Sequence, residues 1–541
     1  MRRPAPTGRL APQWGMFMRN QVTAGLILAG LLLAAPVGAA PATGQASRPP
    51  QQSSQGGEVL GQIALEDRAR QIFDPLIEGG FKNCARAETP LMSIARSAEF
   101  DRMSSLARRL TLISLLICRD DQTDKEAIWL ATKLEAVAEA PLDEAVANYP
   151  LMLQDLRADR DETAARRLVR VLDGLPELVG NWEPAWFNPM VIAADEDAAL
   201  EQALLSRLIA VKWTNPSIQD RARSDWRALL SRNQALARKY AAVRDTLKPV
   251  TSPRIMVAVA VDRRFEPVWA EFQAARRFDW TAVAEAEIAR LRKATADQPR
   301  RLETVVELMG ALRLIGRAKE AINVGEAARG RLTDPKSYDD QSDNANWLHN
   351  ELAYAYSDVE RGAEAEAAFR ASIAAGDAQG DRISQRVNWA AYLVRQGRGA
   401  EALPVLEQIS DDDGSPYGLL WRESGRVCAM ASADRPKADA LMDRIASRWD
   451  DNPSAVSRAL LCLDRIDQAA ELLVRRLQSE RHRDTALLAA VSGARMPKGD
   501  YELRMRQRRE AVLAKPEVIK ALETYGRRLT VPYVGGYWGL E

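Results

Sequence analysis

The sequence predicts an all-α fold, a superhelix (solenoid) of helix-turn-helix repeats. Three observations carry that reading. Between Arg301 and Ile409 one hairpin pattern appears three times, with apolar residues at three- and four-residue steps that gather on one face of a helix. Ala, Leu, Arg and Glu dominate the 541 residues, and aromatic residues make up only 6%. Alternating, strand-like runs are scarce.

The repeats justify themselves residue by residue. The clearest copy reads LMGALRLIGRAKEAINVGEAA, with Leu308, Leu312, Gly316, Ala321, Ile322 and Ala328 in register. LAYAYSDVERGAEAEAAF places Leu352, Ala353, Tyr356, Ala365 and Phe369 at matching positions, and WAAYLVRQGRGAEALPVL does so with Ala390, Gly397, Ala402 and Leu406. Small residues such as Ala353 and Ala390 stand where two helices approach closely. Gly316 and Gly397 fall in the turn, where a residue free to take positive φ ends the first helix. The second copy carries Glu360 there instead. One hairpin cannot bury its own apolar face, so neighbours must stack.

These residues resemble the tetratricopeptide repeat family, whose repeat is about 34 residues long. The resemblance implies an array with a concave surface lined by first-helix positions. In this chain those positions are Arg313, Trp347, Asn350, Tyr354, Ser357, Asn388 and Arg395. Asn hydrogen-bonds a peptide backbone in both senses, Arg holds a carboxylate bidentately, and Trp and Tyr offer flat contact area. A protein or peptide is the implied partner. The lysine-and-asparagine set of the family's carboxylate-clamp members is not reproduced.

In chain order, residues 1–39 read as a secretory signal peptide. Arg2, Arg3, Arg9 and Arg19 are basic, Val22 to Ala35 is apolar, and Val37-Gly38-Ala39 is a small-residue cleavage stretch. An uncleaved anchor is the alternative, although that run is short against the ~20 residues a spanning helix needs. No Cys stands at the cleavage point for lipidation. The expected location is the bacterial periplasm, with association with envelope complexes at the outer membrane. Residues 40–57, rich in Pro, Gly, Gln and Ser, read as a disordered linker.

Residues 58–250 read as an N-terminal helical-repeat region, with helical spacing over Met103–Cys118, Lys125–Glu139, Pro150–Leu175 and Asp195–Trp213, and Asp195 as an N-cap. Between them, Asn181–Pro189 is a loop with three aromatics, either a plug between helices or an exposed partner contact. Residues 251–530 form the repeat array. Ile255–Val261 opens it as a buried helix, followed by helices over Pro267–Arg277 and Trp280–Thr295. Ala438 and Ala469 continue the second-helix series 321, 365, 402, with an insertion near Asp334 to Ala345. Residues 531–541 break the helical style as an aromatic tail, either capping the last repeat or offered to a partner.

Cys84 and Cys118, and Cys428 and Cys462, form two pairs with one spacing (118 − 84 = 462 − 428 = 34). In an exported chain an even count points to disulfides, and of three connectivities the one with two local bonds, Cys84–Cys118 and Cys428–Cys462, is expected, each bond tying a hairpin to its neighbour. Buried free thiols are the alternative. The cysteines lack His partners for a zinc site. Only His349 and His482 exist, and HExxH, GxSxG, SxxK and phosphate-loop motifs are absent. His482, in SERHRD, reads as a solvated helix end. No catalytic residue, metal or cofactor is expected. The 75 basic and 74 acidic residues leave a net charge of +1, with no stripe to recruit nucleic acid. The competing class is an envelope enzyme or a protein handling a polymer such as peptidoglycan.

Overall fold

The recurring local event is a helix stopped by one left-handed residue. Asp159, Arg238, Arg276, Gly316, Glu360, Gly397 and Asp464 all have φ between +54° and +81°. In each case the next N–H reaches the carbonyl five residues back, from Arg160 to Asp155 through Arg317 to Leu312 and Arg361 to Tyr356 to Arg465 and Leu460 (2.8–3.0 Å). This is the closure that satisfies otherwise orphaned carbonyls at a helix C-terminus. The next helix starts at once, so the chain is a series of hairpins. The computed structural model describes residues 55–534 apart from Gly80, Lys82, Asp120, Asn181, Glu183, Thr214 and Asn215. The expected signal peptide, residues 40–54 of the expected linker and residues 535–541 of the tail lie outside the described residues.

Among the described residues there are 26 α-helices and no strand. No helix among them is long and apolar enough to cross a membrane. The chain divides into two units between Asn233 and Gln234, inside the helix Pro216–Leu236.

The N-terminal unit opens with the helix Gln55–Glu78, whose first three residues lie in the stretch expected as linker. Pro141–Arg157 and Asp161–Gly174 are its most extensive hairpin. The helix starting at Ala198 is capped by Asp197, whose carboxylate accepts from Ala199 and Leu200 N–H (3.1 Å each). The expected cap, Asp195, instead ends the short helix Asn188–Ala194 and pairs with Arg232. One residue, Glu196, separates the candidates, and only Asp197 is in register with the first free N–H groups. The aromatic loop is interior. Trp182 and Phe187 are buried and stack at 5.6 Å, and Phe187 meets Trp213 and Trp226 edge-on. That removes both rings from any partner surface, leaving Trp186 half-buried.

In the C-terminal unit, Leu302–Leu314 pairs with Ala318–Arg331, Gln341–Asp358 with Gly362–Gln379, and Ser384–Arg395 with Gly399–Glu407. The first helices of successive hairpins also pack on one another. Ala321, Ala365, Ala402, Ala438 and Ala469 are all buried at the close contacts of the second helices. The inserted segment lengthens one first helix to 18 residues, against 13 for Leu302–Leu314. It also supplies Asp340, which accepts from the N–H groups of Leu302 (2.7 Å) and Glu303 (3.0 Å) and so caps the preceding hairpin.

The two ends of this unit share one apolar core, with Val257 and Val261 beside Leu487, Val518 and Leu522. Arg264 ties them electrostatically, donating to Asp262 (2.8 Å) and pairing with Asp484. The segment after residue 490 then caps helix C-termini in turn, where a cation or N–H meets spare carbonyls. Arg527 donates to Ala260 O (2.6 Å), Val534 N–H to Leu314 O (2.9 Å), Lys498 to Asp358 O (2.6 Å) and Arg508 to Leu461 and Cys462 O (2.9 Å each). Tyr533 of the expected tail is buried and bonds Trp280 O (3.0 Å). It therefore seals the start of the array as well as its end, and is not offered to a partner.

Candidate functional site

The seven residues expected on a concave face fall on three successive first helices. Trp347, Asn350, Tyr354 and Ser357 follow three- and four-residue steps along Gln341–Asp358, which aligns them in one stripe. Arg313 ends the preceding first helix, and Asn388 and Arg395 lie two turns apart on the following one.

Tyr354 is the hub. Its ring meets Phe369 edge-on at 5.4 Å, which fixes its plane from below. The Arg313 guanidinium lies 5.0 Å from the ring centroid and the Arg395 guanidinium 5.6 Å. The two arginines differ in everything but that contact. Arg313 is buried, and its guanidinium reaches Glu351 (2.7 Å) and Asp358 (2.8 Å). Burial alone lowers its pKa, but the two carboxylates outweigh that and raise it, so the charge is locked and neutralised. Arg395 is half-buried and, among the described residues, pairs with no carboxylate.

Asn350 is buried too, and its Oδ1 accepts from Asn388 Nδ2 (3.1 Å). The amide pair therefore bridges two first helices, leaving Asn388 as its half-buried outer member. Arg313 and Asn350 thus support the face from beneath. Trp347, Tyr354, Ser357, Asn388 and Arg395 remain half-buried at its surface. Sequence spacing selected the stripe but could not tell a supporting residue from a surface one. It also missed Glu351 and Asp358, which neutralise Arg313, and Lys498, whose bond to Asp358 O brings the late segment to the rim. Lys498 is 140 residues from Asp358 and carries no local signal of that contact.

The structure joins Cys84 to Cys118 and Cys428 to Cys462. The first bond links the consecutive helices Cys84–Ala95 and Ser105–Cys118, and the second links first helices of neighbouring hairpins, Pro416–Met430 and Pro453–Cys462. His482 is not a solvated end. It is buried, its Nε2 is 2.7 Å from Asp450 Oδ1, and its ring meets Trp449 at 5.4 Å. The tether is long-range, so the charged run SERHRD concealed it. Among the described residues no three His, Cys, Asp or Glu side chains gather into a metal-binding group. A cleft of about 370 Å³ beside Asp464, Arg504, Gln507 and Arg508 is open, and its Asp464 is spent on Arg508 (3.1 Å). No protein-family model and no curated protein matches the chain.

Proposed function

We propose that this protein is an exported, tetratricopeptide-like helical scaffold of the bacterial cell envelope that binds a protein or peptide. The binding face is the stripe from Trp347 to Ser357 with Asn388 and Arg395. The proposal extends the all-helical hairpin array to a solenoid turn whose first helices line its inner surface. The observation that carries it is Tyr354 held between a neutralised arginine and one that pairs with no carboxylate among the described residues. A ring fixed on its underside by Phe369 costs little entropy to present, and aromatic and arginine side chains dominate binding energy at protein interfaces. The basic, apolar and small-residue blocks of residues 1–39 support export of the chain to the periplasm.

The test is recovery of partners from intact envelopes after crosslinking, comparing wild type with the Tyr354→Ala/Arg395→Ala double variant. Loss of two central anchors should weaken binding by at least about 2 kcal/mol, a thirtyfold drop in recovery under limiting conditions. Both side chains are half-buried and Tyr354 packs only at the edge of the hairpin core, against Phe369, so circular dichroism is expected to be unchanged and checks that the variant is folded. Equal recovery from a folded variant would remove this face from the account.

A further inference from the structure

Residues Leu529–Val534 lie as an extended peptide in a groove of the C-terminal unit. Ser492 N–H donates to Leu529 O (2.9 Å), Val531 N–H to Ser492 O (2.9 Å) and Ala494 N–H to Tyr533 O (2.8 Å). The first two bonds make the parallel bridge of Ser492 and Thr530, and the third reaches two residues beyond that register. On the far side Val534 N–H donates to Leu314 O (2.9 Å). The side chains alternate as on a strand. Val531 and Tyr533 are 2% and 3% exposed in the apolar cluster that holds Ala284 and Leu314, and Pro532 points outward. At the bottom Tyr533 OH donates to Trp280 O (3.0 Å). The backbones approach so closely that a Cβ on Gly493 would meet Tyr533 O at 2.9 Å.

Main-chain pairing along an edge, with pockets for alternate side chains, is how proteins recognise extended peptides. We propose that this groove is a peptide-recognition site, filled in cis by Leu529–Val534 and open in trans to an extended partner segment with a β-branched residue, a spacer and a tyrosine. Lifting the segment strips the Ser492 and Ala494 N–H groups and the Ser492 and Leu314 carbonyls of their partners. An extended backbone in the same position restores all of those bonds together, which a compact ligand does not. Release need not unfold the unit, because Arg527 keeps its bonds to Ala260 and Val261 O upstream of the segment. The proposal does not rest on the Tyr354–Arg395 face.

The experiment titrates a fluorescein-labelled peptide, Leu-Thr-Val-Pro-Tyr-Val, with the full chain and follows anisotropy. Wild type should bind weakly, because its own segment competes. The Tyr533→Ala chain loses the main anchor of that segment and should bind about a hundredfold more tightly. The same peptide carrying Tyr533→Ala should not bind. Adding Gly493→Ala to the Tyr533→Ala chain should abolish binding, and Tyr354→Ala/Arg395→Ala should leave it unchanged. Should Tyr533→Ala misfold, Val531→Ala weakens the same segment and replaces it. Uptake no tighter than wild type by a folded variant, or equal uptake of the tyrosine-free peptide, overturns the proposal. A wild-type dimer dissolved by the peptide would make a second copy the occupant and overturn the assignment to a partner.

Discussion

A single left-handed residue ends seven of the described helices, and its cost depends on the side chain there. Gly397 at φ +76° carries none, and a Cβ added to it would meet nothing within 4 Å. Gly397→Ala therefore tests backbone strain alone and should cost about 1 kcal/mol in urea unfolding. Glu360 at φ +65° already bears that strain, and its partner Lys498 lies 3.6 Å away on an exposed surface. Such a pair contributes little, so Glu360→Ala should shift stability by less than about 0.5 kcal/mol. If the two substitutions cost the same, the turn is not what sets the price. The two glycines were legible because positive φ and glycine go together. Asp159, Arg238, Arg276, Glu360 and Asp464 were not, because there the packing of both helices overrides the residue's own preference.

At the scale of elements, the residue after each of these turns is basic: Arg160, Lys239, Arg277, Arg317, Arg361, Arg398 and Arg465. Four reach back to the preceding hairpin. Arg277 donates to Leu247 O (3.0 Å), Arg317 pairs with Glu285, Arg398 with Glu366, and Arg465 with Asp439 (2.7 Å). This stitch was present in the sequence as a basic residue at each helix end, a signal that the hydrophobic register alone passes over. The Cys428–Cys462 bond is a covalent stitch between two first helices. Its separation of 34 residues predicts a loss of about 4 kcal/mol for Cys428→Ser/Cys462→Ser by the chain-entropy relation, read as a lower urea midpoint than oxidised wild type. An unchanged midpoint would mean the hairpins hold their places without it.

Charge stitches also set the response to acid. Hydrogen bonds from Arg386 hold Asp377 below the ordinary aspartate value of 3.8, and bonds from Arg435 and Arg465 do the same for Asp439. A folded pKa below the unfolded one gives stability that is present above 3.8 and lost as pH falls through the folded value. Arg386→Gln should therefore leave a flatter fall in stability below pH ~4 than wild type, by under about 1 kcal/mol for so exposed a carboxylate. A steeper acid limb in the variant would reverse the sign and reject the pairing.

For the whole molecule, the helical class and the hairpin array followed from periodicity, because stacked hairpins must repeat their contacts locally. The joining of the C-terminal unit's first and last helices did not. Arg264 to Asp484 and Tyr533 to Trp280 are separated by more than 200 residues and leave no periodic trace. The candidate face was legible as a stripe for the same local reason, whereas the fate of its two arginines depended on carboxylates one hairpin away. The central claim is that a partner seats on Tyr354 and Arg395. Its most direct test places a photo-crosslinking residue at Ser357, beside Tyr354, and in a second chain at the half-buried Glu364 on the neighbouring second helix. The account predicts that one discrete partner is crosslinked from position 357 and not from 364, and that Arg395→Ala abolishes it. Crosslinking from both positions alike, or from 357 regardless of Arg395, would contradict it.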